Sequence, residues 1–225
     1  MHQKLFAFAL AAPVMTLRHF GLNAELIETN EIEVDGKRIA GTGGGLIGNA
    51  AVVVGNLLFD FDFDTMAAVW NTPSSSFRTL AQKALKDHIV TVNDLSSRVT
   101  IEEATKLLVT NFAETMERPL SKGVLSLEEI GAAAEMAEEL GSPDFLGLHK
   151  GDNDAEPIRA LKISARACIR YDETSLKGCN VRGSFWLSGN LIREVKFEST
   201  PDQDWNSEEL KLQGTLFESW KERFC

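Results

Sequence analysis

The chain contains the stretch Glu31-Ile-Glu-Val-Asp-Gly-Lys-Arg-Ile39, in which Asp35-Gly36 separates two short runs of β-prone residues. An Asp-Gly pair in this position is a strong local signal for a β-hairpin, because both residues of the tight turn must take positive φ angles. A long strand is predicted further on, from Val52 to Phe63, where Phe and Asp alternate at the end. The glycine cluster between the two predicts a hairpin loop.

Apolar periodicity predicts further elements on both sides of this stretch. Leu5 to Leu10 is typical of a buried strand, and Pro13 to Phe20 of a helix with proline in its first turn. The run from Leu5 also imitates a short signal peptide. Two Ser/Thr-x-x-Glu patterns, starting at Thr100 and Ser126, match the capping box that opens a helix.

The residue pattern in the last third of the chain is typical of a separate antiparallel sheet. Strict alternation predicts one strand from Leu161 to Tyr171, and Ser188-Gly189-Asn190 predicts a hairpin turn between two more strands. Ser207 is expected to cap a final helix whose apolar residues pack on that sheet. We therefore predict an α+β protein with a mixed-sheet domain at residues 1–149 and a small α+β domain at residues 150–225, joined through a polar linker, Lys150 to Pro157.

Composition limits the classes of function. With 225 residues and 44% hydrophobic content the chain can bury a full core, and its net charge of -10 argues against a nucleic-acid partner. No run approaches the roughly 20 apolar residues of a membrane span, so no membrane partner is expected. Three cysteines without CxxC spacing favour a reducing compartment, the cytoplasm, and four scattered histidines suggest no metal site.

Within the glycine cluster, Gly43 to Gly48 spells a GxGxxG motif. This motif binds dinucleotides only where a helix begins at the loop, and the β-branched residues that follow weaken that interpretation. A dinucleotide-binding oxidoreductase remains the weakest of three hypotheses. Asp60, Asp62 and Asp64 are interpreted as the solvent-exposed face of a strand rather than a magnesium site.

Taken in order, several segments resemble the lipoate-protein ligase branch of the biotin and lipoate ligase family. They are Leu22-Asn-Ala-Glu25, Asn30 to Thr42 with its Gly-Lys-Arg-Ile-Ala-Gly core, and Gly55-Asn-Leu-Leu58. Such ligases use ATP and Mg²⁺ to activate lipoate to lipoyl-adenylate, and then acylate a lysine of a lipoyl carrier domain. The resemblance implies an adenylating enzyme with this partner, in which a fixed cation neutralises the carboxylate and α-phosphate.

The resemblance also assigns roles to residues. Arg38, with Lys37 beside it, falls where the family has its catalytic lysine. The adenylate would be contacted by Asn30, Glu31, Gly41, Thr42, Gly55 and Asn56. Related octanoyltransferases use a cysteine, but Cys168 and Cys179 lie in the predicted accessory region and are interpreted as structural.

Two departures leave alternatives open. Arginine is not a neutral replacement for a catalytic lysine. The family's Arg-Arg-x-Ser-Gly-Gly-Gly loop does not occur in the sequence. The first hypothesis is thus a ligase that needs this N-terminal part or a second ligase subunit, and the second is a non-catalytic member that binds a lipoyl domain or a sister subunit. The acyl group, whether lipoate, octanoate or biotin, stays open.

Overall fold

A computed structural model describes residues 2–96, 98–148, 156–176 and 178–224. Its described part is a mixed α+β fold, as predicted from the sequence. The strands are β1 (Ala24–Ile27), β2 (Glu31–Val34), β3 (Lys37–Arg38), β4 (Ala40–Ile47), β5 (Ala50–Leu57), β6 (Ala160–Ser164), β7 (Ala167–Leu176), β8 (Cys179–Ser188) and β9 (Leu191–Thr200). The α-helices are α1 (His2–His19), α2 (Phe63–Ala68), α3 (Ser75–His88), α4 (Val92–Leu95), α5 (Ile101–Thr115), α6 (Leu127–Gly141), α7 (Pro143–Gly147) and α8 (Asn206–Leu212).

The N-terminal segment is one continuous helix, so the predicted strand at Leu5 to Leu10 and the helix start at Pro13 are wrong. Leucine, phenylalanine and alanine tolerate a helix well, and a short apolar run does not by itself distinguish strand from helix. Pro13 removes only the amide that would have bonded the Ala9 carbonyl. Packing against α5 compensates, since buried Asn111 donates to the Thr16 hydroxyl at 2.9 Å.

The Asp35-Gly36 hairpin is confirmed, with φ angles of 50° and 78° at the two turn residues. Strands β1, β2 and β3 form one antiparallel sheet, and β4 pairs with β5 over their full length in a second. The glycine cluster is therefore strand β4 rather than a loop. Gly48 and Asn49 form the turn to β5, so no helix begins there and the dinucleotide fingerprint lacks its essential element.

The strand predicted to reach Phe63 ends at Leu57 instead. Asp62 is the N-cap of α2, because its carboxylate accepts the amides of Asp64 and Thr65 at 3.1 and 2.9 Å. The Phe/Asp alternation is thus not a strand face. Both predicted capping boxes are confirmed, at Thr100 for α5 and at Ser126 for α6.

The C-terminal sheet has the order β6-β7-β8-β9, and the predicted β8–β9 hairpin is confirmed. The single strand predicted from Leu161 to Tyr171 is in fact two, with a turn at Ala165 and Arg166. Period-two alternation continues through this turn, which hides it in the sequence. Ser207 lies inside the first turn of α8 rather than capping it; Asp204 accepts the Asn206 amide instead.

The final helix contributes Leu212 to the core under β8 and β9, together with Trp205 and Trp220. Not all apolar residues of this segment pack on the sheet as predicted, since Leu210 and Leu216 are exposed. Helix α3 packs between this sheet and the N-terminal half, where Phe77, Leu80 and Ala84 are buried against Ile169 and Trp186.

The chain divides into two compact units, residues 1–118 with 158–225, and residues 119–157. The second unit contains α6 and α7, whose residues are all at least partly exposed. The domain boundary predicted near residue 150 stays a prediction, and most of the predicted linker, residues 150–155, lies outside the described residues.

Candidate functional site

Four residues predicted to contact the adenylate lie side by side on β4 and β5. The antiparallel register pairs Gly41 with Asn56, and Thr42 with Gly55. Alternate residues of a strand point to opposite faces, so the Gly41–Asn56 pair and the Thr42–Gly55 pair occupy opposite faces of the hairpin.

A larger residue at position 41 would have to displace the Asn56 side chain, which is exposed and flexible. The Asn56 side-chain oxygen accepts the Gly41 amide at 2.9 Å. A methyl group on Gly41 would lie 2.9 Å from the same oxygen, closer than a non-bonded contact allows. Because glycine has no side chain, the Asn56 amide group lies directly against the backbone at this position.

The Thr42–Gly55 pair faces the same side as Gly44, against which Phe6 of α1 packs. A methyl group on Gly55 would lie 3.1 Å from the Gly41 carbonyl oxygen and 3.5 Å from Cγ2 of Thr42. The Thr42 hydroxyl donates to the backbone carbonyl of Asn30. The structure thus brings Asn30 to the same patch, through its main chain, while its side chain is exposed.

Arg38 lies at the end of β3, three residues before Gly41. Its Nε donates to the Ala40 carbonyl at 2.9 Å, and its Nη1 lies 3.4 Å from the Ile163 carbonyl in β6. The half-buried guanidinium is therefore held in place by backbone acceptors, and Nη2 has no partner among the described residues. Lys37 is exposed and pairs across the sheet with Val34.

Glu31 is buried, and the structure directs its carboxylate to the β6–β7 turn. Both of its oxygens accept the Ala165 amide, at 3.0 and 2.9 Å. The neighbouring buried carboxylate, Glu33, binds the guanidinium of Arg166 at 2.9 Å. Strand β2 thus anchors the C-terminal sheet through two carboxylates. The sequence carries no signal for this contact, because the partners are more than a hundred residues apart.

A second feature not predicted from the sequence surrounds His88 at the end of α3. Its ring lies edge-on to Trp186 at 5.9 Å, and the Arg193 guanidinium stacks on Trp186 at 4.1 Å. Burial, followed by the positive charge of Arg193, lowers the pKa of His88 below 6.5. The positive charge of Lys37 also lowers the pKa of His88, the last residue of α3.

The described residues offer neither a grouped set of metal ligands nor a cysteine within the β4–β5 hairpin. Within residues 2–96, 98–148, 156–176 and 178–224, no three His, Cys, Asp or Glu side chains are grouped to hold a metal ion. Asp64 bonds Gln82 and Lys86. Cys168 and Cys179 lie in β7 and β8, and Cys179 is buried with its sulfur 3.0 Å from Nε2 of Gln203.

In the described part of the chain, no helix is both long and apolar enough to cross a membrane.

Residues 3–113 match the family model described as the lipoyl protein ligase A/B catalytic domain. Among curated proteins, the chain is similar to octanoyltransferase LipM of Brevibacillus brevis, with 26% identity over 121 residues that cover 53% of this chain and 44% of the relative. LipM of Kyrpidia tusciae is 30% identical over 111 residues, or 49% and 39% of the two chains. The matched part therefore spans less than half the length of these relatives.

Solved structures of lipoate-protein ligases share the fold. A bi-partite lipoate protein ligase from Thermoplasma acidophilum, studied with its E2 lipoyl domain, superposes with a TM-score of 0.60 at 24% identity, covering 67% of this chain and 60% of that one. Lipoate-protein ligase A bound with ATP gives 0.50 at 24% identity, covering 63% and 57%. The family model over residues 3–113 and the shared fold together support membership of this chain in the lipoate-protein ligase family.

Proposed function

We propose that this chain carries part of the active site of an adenylating lipoyl-family acyl ligase. In this reaction ATP and Mg²⁺ convert the carboxylate of lipoate to lipoyl-AMP, with release of pyrophosphate. The amine of a carrier-domain lysine then attacks the acyl carbon and displaces AMP, losing a proton. The fold and the family match support the class of reaction, and the steps are assigned to this chain as a proposal.

The observation that carries the proposal is the register of β4 and β5. It places Gly41 beside Asn56 and Thr42 beside Gly55, on the two faces of one hairpin whose first strand begins two residues after Arg38. Bare backbone and a fixed cation are what a carboxylate–phosphate anhydride requires, because negative charge builds up on its oxygens.

Arg38 is the residue we assign to this charge. Two backbone carbonyls already orient its guanidinium, which lowers the entropy lost on binding an anion. No described residue bonds its Nη2 group, which can bind a carboxylate or phosphate oxygen, and the planar guanidinium suits both. Exposed Lys37, the neighbour of Arg38 in β3, supplies a second positive charge. Mg²⁺ is expected to bind together with the nucleotide phosphates rather than at a site made of protein ligands alone.

The positions of the cysteines support activation by ATP over a thioester route. The family-matched residues 3–113 contain no cysteine, and both described cysteines lie in the C-terminal sheet. A thiolate nucleophile must be accessible, whereas Cys179 is buried and half-buried Cys168 donates its thiol to the Ile169 carbonyl at 3.5 Å. The named relatives are octanoyltransferases, so octanoate is the competing acyl group.

Two partners follow from this proposal. The acceptor is a lipoyl carrier domain, which supplies the lysine. The Arg-Arg-x-Ser-Gly-Gly-Gly loop comes from another polypeptide segment or from a second ligase subunit, because the family reaction uses it and this sequence does not contain it.

A non-catalytic member that binds a lipoyl domain is the second candidate. It is favoured by the buried Glu31, whose carboxylate is already taken up by the Ala165 amide and is therefore not directed at a ligand. The two candidates differ in acyl transfer and not in carrier binding, so one assay separates them.

The test mixes the chain with ATP, Mg²⁺, lipoate and a lipoyl domain, with and without a relative's Arg-Arg-x-Ser-Gly-Gly-Gly segment as a separate polypeptide. We expect transfer, read as intact mass of the carrier, only in the complemented mixture. Carrier binding without any transfer would establish the second candidate, and neither binding nor transfer would refute both.

Substitutions at Arg38 identify the group responsible. Arg38→Ala should abolish complemented transfer, whereas Arg98→Ala, which removes the same charge at an exposed site, should not. Arg38→Lys should restore or raise the rate because lysine is the family's residue there. A loss with Arg38→Lys would show that Arg38 does not occupy the catalytic position.

A further inference from the structure

A bulge in β6 brings a backbone carbonyl to the guanidinium of Arg38. The β6–β7 register shifts between Lys162 and Ser164, so the register of the described strands leaves Ile163 as an extra residue. A bulge of this kind redirects the backbone locally. The Ile163 side chain is buried in the core formed with helix α3, and its carbonyl accepts Nη1 of Arg38 at 3.4 Å. At this length, a small displacement of the bulge breaks the bond.

Glu31 holds the turn that follows the bulge. This residue is only 5% exposed, and both of its carboxylate oxygens accept the Ala165 amide, two residues after Ile163. Hydrogen bonds from an amide to an ionised carboxylate are stronger than those between neutral groups. Within the turn, the Ser164 hydroxyl oxygen accepts the Arg166 amide at 3.1 Å. A displacement of Ala165 is therefore passed to Ile163.

We propose that Glu31 is a positioning residue for Arg38, acting through the Ala165 amide and the Ile163 carbonyl. The main chain of Arg38 is fixed separately, because its carbonyl accepts the Val90 amide at 3.0 Å. The turn adds the orientation of the planar guanidinium and hence the direction of its Nη2 group. The role in catalysis rests on the proposed acyl transfer, whereas the coupling of Glu31 to Arg38 does not.

A positioning role also accounts for the burial of a charge at Glu31. Taking a carboxylate out of water destabilises a fold, and a well-packed apolar side chain in its place is often neutral or stabilising. A carboxylate at position 31 is therefore explained better by the geometry that it imposes on the turn than by the stability that it adds.

Rotation of the guanidinium about its Nε–Cζ bond measures the coupling without substrate. This rotation exchanges Nη1 with Nη2 and must break the contact with Ile163, whereas the Nε bond to Ala40 survives it. Glu31→Ala releases the turn and should accelerate the exchange on the order of tenfold, the factor that one hydrogen bond typically contributes. Nitrogen-15 NMR measures the rate, and Arg38→Lys identifies the signal by removing it.

Control variants separate positioning from a general loss of stability. Glu25→Ala removes an exposed carboxylate from the neighbouring strand β1, and Gly183→Ala crowds Phe185 in the C-terminal sheet. Both should leave the Arg38 rotation unchanged. Glu31→Gln, whose neutral oxygen accepts more weakly, should accelerate it less than Glu31→Ala does. This variant decides the case if Glu31→Ala fails to fold, and an unchanged rate in folded Glu31→Gln would then overturn the proposal.

The complemented transfer reaction tests the consequence for catalysis. Glu31→Ala should lower kcat on the order of tenfold or more and leave KM for ATP within about twofold, because a misdirected cation loses mainly the stabilisation of charge that develops during the reaction. An unchanged Arg38 rotation, or an accelerated rotation with an unchanged kcat, overturns the positioning role. If the unsubstituted chain gives no complemented transfer, the proposed acyl transfer is refuted instead, and the rotation rate alone decides whether Glu31 positions Arg38.

Discussion

Replacing Arg166 by methionine isolates the contact that fastens the C-terminal sheet to β2. The side chain of Glu33 is only 3% exposed, whereas that of Arg166 is 55% exposed. The substitution removes the guanidinium bonds at 2.9 and 3.4 Å and leaves the carboxylate buried without its cation. Breaking a fully buried pair in this way costs about 3–5 kcal/mol, and water reaching the exposed arginine side reduces this to about 2–3 kcal/mol.

Urea unfolding measures this loss as a decrease in the free energy of unfolding. Glu33→Gln removes the charge that needs compensation, so Arg166→Met should cost much less in that background. Arg159→Met is the matched control, because its 2.8 Å ion pair with Glu173 is exposed on both sides and contributes under about 1 kcal/mol. If Arg166→Met costs no more than the Arg159 control, the anchoring role of β2 is wrong.

Two further predictions concern stability. Since the pKa of His88 is lowered in the fold, the folded state binds fewer protons than the unfolded state, and the free energy of unfolding should fall as pH drops from 7.5 to 5.5 through the ordinary value of 6.5. His88→Gln should flatten this dependence in urea titrations, and an unchanged slope would contradict the assignment. Gly183→Ala would place a methyl 2.4 Å from Phe185 and should cost about 1–3 kcal/mol. Gly45→Ala, with open space around it, is the control by thermal unfolding, and equal losses would show that the Phe185 packing is not limiting.

The sequence predicted helix caps and turns correctly where residues within one short segment determine the local structure. The capping boxes at Thr100 and Ser126 satisfy helix amides from within four residues, and Asp35-Gly36 provides both positive φ angles of its turn.

Contacts between distant segments decided the features that the sequence did not reveal. The turn at Ala165 contains no glycine or proline, and it is fixed by Glu31 from another part of the chain. The apolar run at Leu5 lies in helix α1, which packs on α5, β1 and β5. The Phe/Asp segment is a local exception, because Asp62 caps α2 through Asp64 and Thr65, and period-two alternation does not distinguish such a cap from a strand face.

The most direct test of the central claim is where an acyl-adenylate binds. We expect a non-hydrolysable lipoyl-adenylate analogue to shift the backbone amide resonances of Gly41, Thr42 and Gly55 in an NMR titration. Arg38→Ala should weaken that binding without unfolding the chain. Binding that perturbs other segments while leaving these three amides unchanged would contradict the assignment of the β4–β5 patch as the adenylate site.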